Sequence, residues 1–226
     1  MRPFFTVDPV ETRIIQELKS WSAIGLETPN DFFNNLAPCP FAHQAWADQK
    51  VNIFFKRESS FQCLYSAISQ YDDSFDVAIL VDLSELPENA AFHEHVSQLN
   101  TAISKGVFID RDIWLMGYHP EDEIPDFVDD SMDIAPETEV EEEYSLIFIQ
   151  RLSKLQESAY KLTQKGYYEN YMQDKDCCSQ YAYREKFYEQ LRRNPDGSSE
   201  KEGAGTDAKG WFSQEKEQRW GLRNDG

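Results

Sequence analysis

"FDVAILVDL", residues 75–83, decides the fold. Its centre is apolar without a break from Val77 to Val81, and Asp76 and Asp82 close it on either side. A short continuous run of this kind fits a strand covered on both faces. It is far too short for a membrane span, which takes roughly 20 apolar residues. Upstream, "SSFQCLYSAISQY" (59–71) sets Phe61, Leu64, Tyr65 and Ile68 on one side of a helix, and "VNIFFKR" (51–57) reads as a strand. Downstream, residues 87–106 read as a helix starting on Pro87 and ending near Gly106, and "RDIWLMGYHP" (111–120) as a third strand. Strands that alternate with helices predict an α/β layer with at least partly parallel strands. The expected fold is α/β: a small sheet of three or more strands flanked by helices, with a C-terminal helical extension.

Further out, "DPVE" (8–11) is a helix start. Asp8 suits the cap, Pro9 the first helical position, and Glu11 the capping box. Val10, Ile14, Leu18, Trp21 and Ile24 then repeat at helical spacing, with a stop expected near Gly25. On the other side, a long helix is expected from about Val140 to Lys165, burying Tyr144, Ile147, Phe148, Leu152, Leu155, Ala159 and Leu162. Glu141, Glu142 and Glu143 would stand in its first turn, where negative charge suits the dipole. Residues 167–193 read as helical and hold six of the eleven tyrosines. From Asn194 onward aliphatics are scarce, and a disordered tail is expected. The expected division is an α/β domain over 1–165, a Tyr-rich helical extension over 166–193, and the tail over 194–226.

The formal charge is −19. That argues against a nucleic-acid backbone and against anionic membrane surfaces as partners. Twelve carboxylates and no Lys or Arg lie between Glu121 and Glu143. They lack the glycine-containing spacing of an EF-hand loop, so a solvated acidic loop is expected, with a basic protein as its alternative partner. "MRPFFTVDPVE" has no apolar secretory core. The adjacent pair Cys177–Cys178 is too close for an ordinary disulfide. Reduced thiols and a cytoplasmic location are the expectation.

The chemistry-bearing residues are few. Cys39 stands between Pro38 and Pro40 ahead of a helix expected over Phe41 to Asp48. Three readings stay open: a packed turn, a thiolate nucleophile with its pKa lowered by the helix dipole, or a metal ligand. His43, four residues on, could share a metal with Cys39, and Cys39, His43 and His119 form the metal-site alternative. His119 ends the strand "DIWLMGY", where α/β folds place ligand chemistry, and imidazole moves protons near neutral pH. Its plainer reading is a strand-end cap. His93 and His95 are expected at the surface. Trp211, Phe212 and Trp220 in the tail suit either a short helix docking on a partner or a segment folding back onto this chain, and residues 195–226 are a candidate protein-binding segment.

Cys39-Pro40-Phe41-Ala42, Tyr118-His119-Pro120 and Ile149-Gln150-Arg151, together with Trp21 and Ile24-Gly25-Leu26, fall in an order and spacing that resembles an uncharacterised bacterial family, domain-of-unknown-function family 1415. The likeness covers about residues 10 to 170. This chain departs from the family in the inserted "ETPNDFFNNL" before Cys39 and in His43, where a basic residue is expected. The resemblance implies an α/β fold and selects Cys39, His119 and Arg151; it supplies no reaction. The leading expectation is a small-molecule-binding or enzymatic domain of unknown cofactor. In it Cys39 is nucleophile or ligand, His119 its acid/base, and Arg151 the bidentate holder of a small anionic molecule. The alternatives are a non-catalytic protein-interaction module acting through the acidic loop, the Tyr-rich helix and the tail, and a metal-binding protein.

Overall fold

The computed structural model describes residues 8–122, 144–173 and 175–193. The acidic stretch from residue 123, the Glu141–Glu143 triplet and the tail from 194 lie outside them. Helix α1 (Pro9–Trp21) starts as its sequence predicts, with the Asp8 carboxylate accepting from the Val10 N–H at 2.9 Å. It widens into a π-helical turn, Ser22–Leu26, that ends beside Gly25. A 3-10 turn (Asp31–Phe33) and the short helix α2 (Ala42–Ala47) lead into strand β1 (Val51–Lys56). Next come α3 (Gln62–Gln70), β2 (Val77–Asp82), α4 (Asn89–Ser104), β3 (Ile113–Tyr118), β4 (Ser145–Arg151), α5 (Leu152–Thr163) and α6 (Lys175–Arg193).

The sheet order is β1-β2-β4-β3. β1 and β2 are parallel, and β4 runs antiparallel to both β2 and β3. β3 therefore points the same way as β1 and β2, with β4 inserted beside it. Side chains alternate between two faces. Ala78, Leu80, Ile113, Leu115, Ile147 and Ile149 pack under α3 and α4. Ile79, Val81, Leu146 and Phe148 pack under Ile14 and Leu18 of α1. Gly117 lets β3 approach α4: a Cβ there would stand 2.6 Å from the Phe92 ring.

β4 corrects the sequence reading. Residues 145–151 are expected from sequence to lie inside one long helix, and they form a strand that hands directly to α5. "SLIFI" is apolar at every position after Ser145 because both faces are covered, and a run of that length satisfies a helical stripe as readily as a strand. The break after it is made from outside the segment. Asp112, at the foot of β3, accepts from the Ser153 N–H at 2.7 Å and from its hydroxyl at 2.5 Å. That cap is supplied from far away in sequence, so no local stop signal marks it.

α6 is built into this layer. Its Phe187 and Tyr188 bury with Trp114 of β3 and Leu152 of α5, and Tyr183 bonds Ser97 of α4 through its hydroxyl at 2.9 Å. The Tyr-rich stretch thus spends its described rings on packing, with Tyr181 and Tyr188 both buried.

Candidate functional site

Cross-strand register collects a set of polar residues at one end of the sheet. Lys56 of β1 pairs with Asp82 of β2, and Asp82 pairs with Ser145 of β4. Tyr118 pairs with Leu146, so His119 continues the same row one step further. All four share the side-chain parity of Phe54, Leu80, Ile147 and Leu115, so they lie on the face covered by α3 and α4. This end holds the C-termini of the three parallel-pointing strands, the place where open α/β sheets bind ligands.

Lys56 is 6% exposed, and its ammonium donates to the Asp82 carboxylate at 2.6 Å and to the Ser84 hydroxyl at 2.8 Å. Asp82 also accepts from the Ser84 N–H at 3.0 Å and from its hydroxyl at 2.5 Å. The Phe61 ring lies 6.0 Å from the Lys56 ammonium and packs tilted against His95, ring centres 4.4 Å apart. His95, expected at the surface, has its Nε2 buried, and burial together with the Lys56 charge holds its pKa below the ordinary imidazole value. The Ser145 hydroxyl is fully buried and, among the described residues, neither it nor His95 Nε2 has a hydrogen-bond partner. Cys63 lies close enough to feel Lys56; burial pushes its thiol up, and Lys56 offsets part of that. A shallow groove of about 520 Å³, open to solvent, lies along the outer side of α3, bordered by Phe61, Tyr65 and uncharged polar residues.

His119 is completely buried. Its Nδ1 accepts the Glu121 N–H at 3.2 Å, so Nε2 carries the proton and donates to the Pro87 carbonyl at 3.0 Å. The Glu121 carboxylate lies 4.0 Å from Nδ1, at the limit of an ion pair, and the closer amide sets the tautomer. The His119 N–H donates to Asp122, which also holds His93 at 2.6 Å and Asn89 at 3.1 Å. Both ring nitrogens are thus spent: Nε2 joins the end of β3 to the segment before α4, and Nδ1 holds the turn that follows β3.

Arg151 is at the other end of the sheet. It pairs with Ile113, the first residue of β3, whereas His119 comes after the last. Six residues at about 3.3 Å each separate those two levels by about 20 Å. Its guanidinium is held by Asp110 and, at 3.3 Å, by Asp73, and lies 5.4 Å from the centre of the Tyr71 ring. Burial pushes the Tyr71 hydroxyl up to about 12 although Arg151 pulls the other way.

Cys39 belongs to a third setting. Its N–H donates to the Leu26 carbonyl at 2.8 Å, which ties it to the end of the α1 segment on the opposite face of the sheet from His119. Burial pushes the thiol pKa up and Glu27 adds to that; the Phe41 and Ala42 amides pull it down without prevailing. The direction is the reverse of the one a helix dipole predicts. His43 does come near, since its Nδ1 is 2.9 Å from the same Glu27 carboxylate. His119 does not. Among the described residues no group of three or more His, Cys, Asp or Glu side chains is placed to hold a metal ion.

Cys39, His119 and Arg151 therefore occupy three separate places, and only His119 belongs to the row. The residues missed are Lys56, Asp82 and Ser145. The signal for the first two was present: each is a charged residue ending an apolar strand run, the same pattern that selected His119. Ser145 was hidden by the misread strand.

This chain matches no family model, no curated protein and no solved structure.

Proposed function

We propose that this is a small-molecule-binding α/β domain, with its ligand at the strand ends formed by Lys56, Asp82, Ser145 and His119. The observation that carries the reading is the row itself: a buried cation, its carboxylate partner and an unpartnered buried hydroxyl at the ligand-binding end of the sheet. In this reading Lys56 takes the role first expected of Arg151, attracting an anionic group. His119 is a positioning residue that fixes the floor of the site, and the groove beside Phe61 receives the apolar part of the ligand. The relationship to the family carrying C-P-F-A remains part of the proposal and rests on its short motifs. A thiol mechanism at Cys39 finds no support in the raised pKa or in its attachment to the α1 segment, on the opposite face of the sheet from His119. The interaction-module alternative keeps the acidic loop and the aromatic tail, which lie outside the described residues. It has lost much of the Tyr-rich helix to the core.

The test is a panel of small carboxylates and phosphates with and without aromatic groups, monitored by amide NMR shifts on the full chain. A genuine ligand moves the amides of 56–66, 82–84 and 145, and Ser145→Ala weakens it while the fold is kept. Shifts centred on Cys39 or Arg151, or no binding from any member of the panel, would count against the row.

A further inference from the structure

The two edges of the sheet are finished differently. β3 has α6 beside it, with Phe187 and Tyr183 against Trp114. β1 has β2 on one side and, among the described residues, no strand on the other. Its first five residues are all half-buried, whereas four of the six residues of β2 are buried. The carbonyls of Lys50 and Lys56 accept from Asp76, Val77 and Leu83, so the even-numbered residues of β1 turn their backbone groups toward β2. By alternation, Val51, Ile53 and Phe55 turn theirs outward. Among the described residues, the Phe55 carbonyl takes a weak bond from the Cys63 thiol at 3.6 Å.

Edge strands of monomers are ordinarily blunted by an outward charge, a proline or a bulge. "VNIFFK" has no proline, and its one charge, Lys56, is turned inward onto Asp82. The strand is also free of carboxylates, in a chain that holds 41 of them. Two copies, each at −19, meet here without acid facing acid along the strand.

We propose that the outer edge of β1 pairs antiparallel with β1 of a second copy, making one continuous sheet across a two-fold axis. Side-chain parity allows a register centred on Phe54. It sets Phe54 opposite its own copy, Ile53 opposite Phe55, and Lys50 opposite Glu58 of the second copy. Ile53 and Phe55 are then the hydrogen-bonding pair, which is what their outward backbone groups require. Aromatic and β-branched cross-strand pairs stabilise such a ladder, and opposite charges at both ends fix the register. The occupant is a second copy rather than a strand of the same chain entering at Asp8. Such a strand would leave from beside Arg57, which holds Asp8, and run parallel to β1. With α1 as its crossover, on the face opposite α3 and α4, the connection would be left-handed, the hand parallel units almost never take.

The experiment uses the full chain. Sedimentation over a concentration series, paired with residue-resolved amide exchange across 51–56, is run on the wild type and on Ile53→Pro. Proline at 53 removes an outward N–H and leaves the bonds to β2 in place. The expected result is a concentration-dependent dimer in which the amides of Ile53 and Phe55 gain protection, and an Ile53→Pro chain that keeps its circular dichroism but sediments as a monomer. Should Ile53→Pro unfold, Phe54→Lys, which sets two like charges across the dyad, is expected to give the same monomer. A wild type that stays monomeric throughout, a dimer that survives both variants, or odd-residue protection that is independent of concentration would each overturn the proposal. The last of these would place a strand of the same chain on the edge.

Discussion

The two ends of the sheet use ionic groups in opposite ways. At the strand-end row, Lys56 and Asp82 are 6% and 13% exposed, and polar atoms beside them are left without partners. At the other end, Arg151 is 12% exposed, and its partners Asp110 and Asp73 are 38% and 74% exposed. The second arrangement is what a finished surface looks like. The first keeps buried polar capacity unused, which stability alone does not favour. That contrast is the reason the row, and not the arginine, is proposed as the ligand site.

The largest effect that can break the contrast is Lys56→Met. It leaves Asp82 buried and uncompensated, and breaking a buried pair from one side costs about 3–5 kcal/mol, read as a shifted urea midpoint. An unchanged midpoint would mean that the row is wet and the contrast false. Next comes Gly117→Ala, whose added methyl meets Phe92 at 2.6 Å. Overpacking of this kind costs about 1–3 kcal/mol, and Phe92→Leu in the same chain is expected to recover part of it.

A pH titration sharpens the other end. Tyr71 ionises at about 12 in the fold and near 10 when unfolded. Its neutral form is therefore favoured by folding, and its share of stability is whole below pH 10 and lost as the pH climbs from there toward 12. Ultraviolet titration of wild type against Tyr71→Phe should show one late-ionising tyrosine fewer in the variant. Ser145→Ala should change stability by less than about 1 kcal/mol, in the stabilising direction, because it removes an unsatisfied buried hydroxyl. The smallest effect is Asp73→Asn, which removes the charge of a largely exposed partner of Arg151 and should leave the melting curve where it was.

Much of this fold was readable in advance where the sequence is self-contained. The cap at Asp8, the run Val77–Val81 and the helices around it depend on neighbours within a few residues. β4 was not readable, since what ends it is Asp112 reaching across from β3, and what makes its run apolar is cover on both faces. The site divides in the same way. His119 could be picked out by its place after a strand, and Lys56 and Asp82 carried the same mark unnoticed. Their meeting depends on a register that joins residues 56, 82 and 145, and no local pattern encodes that. The motif around Cys39 was conspicuous in sequence, yet its backbone is tied to the end of the α1 segment and burial raises the pKa of its thiol.

The insertion of β4 between β2 and β3 also has a bearing on how the chain is made. β1, α3 and β2 can assemble as soon as residue 82 exists, because β1 takes its ladder from β2 and needs no later strand of the sheet. β3 has no such option: among the described strands it pairs with β4 alone, and that strand is complete only at Arg151. During synthesis, β3 and the inner edge of β2 therefore wait, unpaired, for a strand still to be translated. Sheet closure becomes a late and non-local event, the kind that slows folding and exposes strand edges meanwhile. A fragment ending before residue 145 would hold both waiting edges open permanently, and recovery of such fragments in aggregates is the trace this order of assembly would leave.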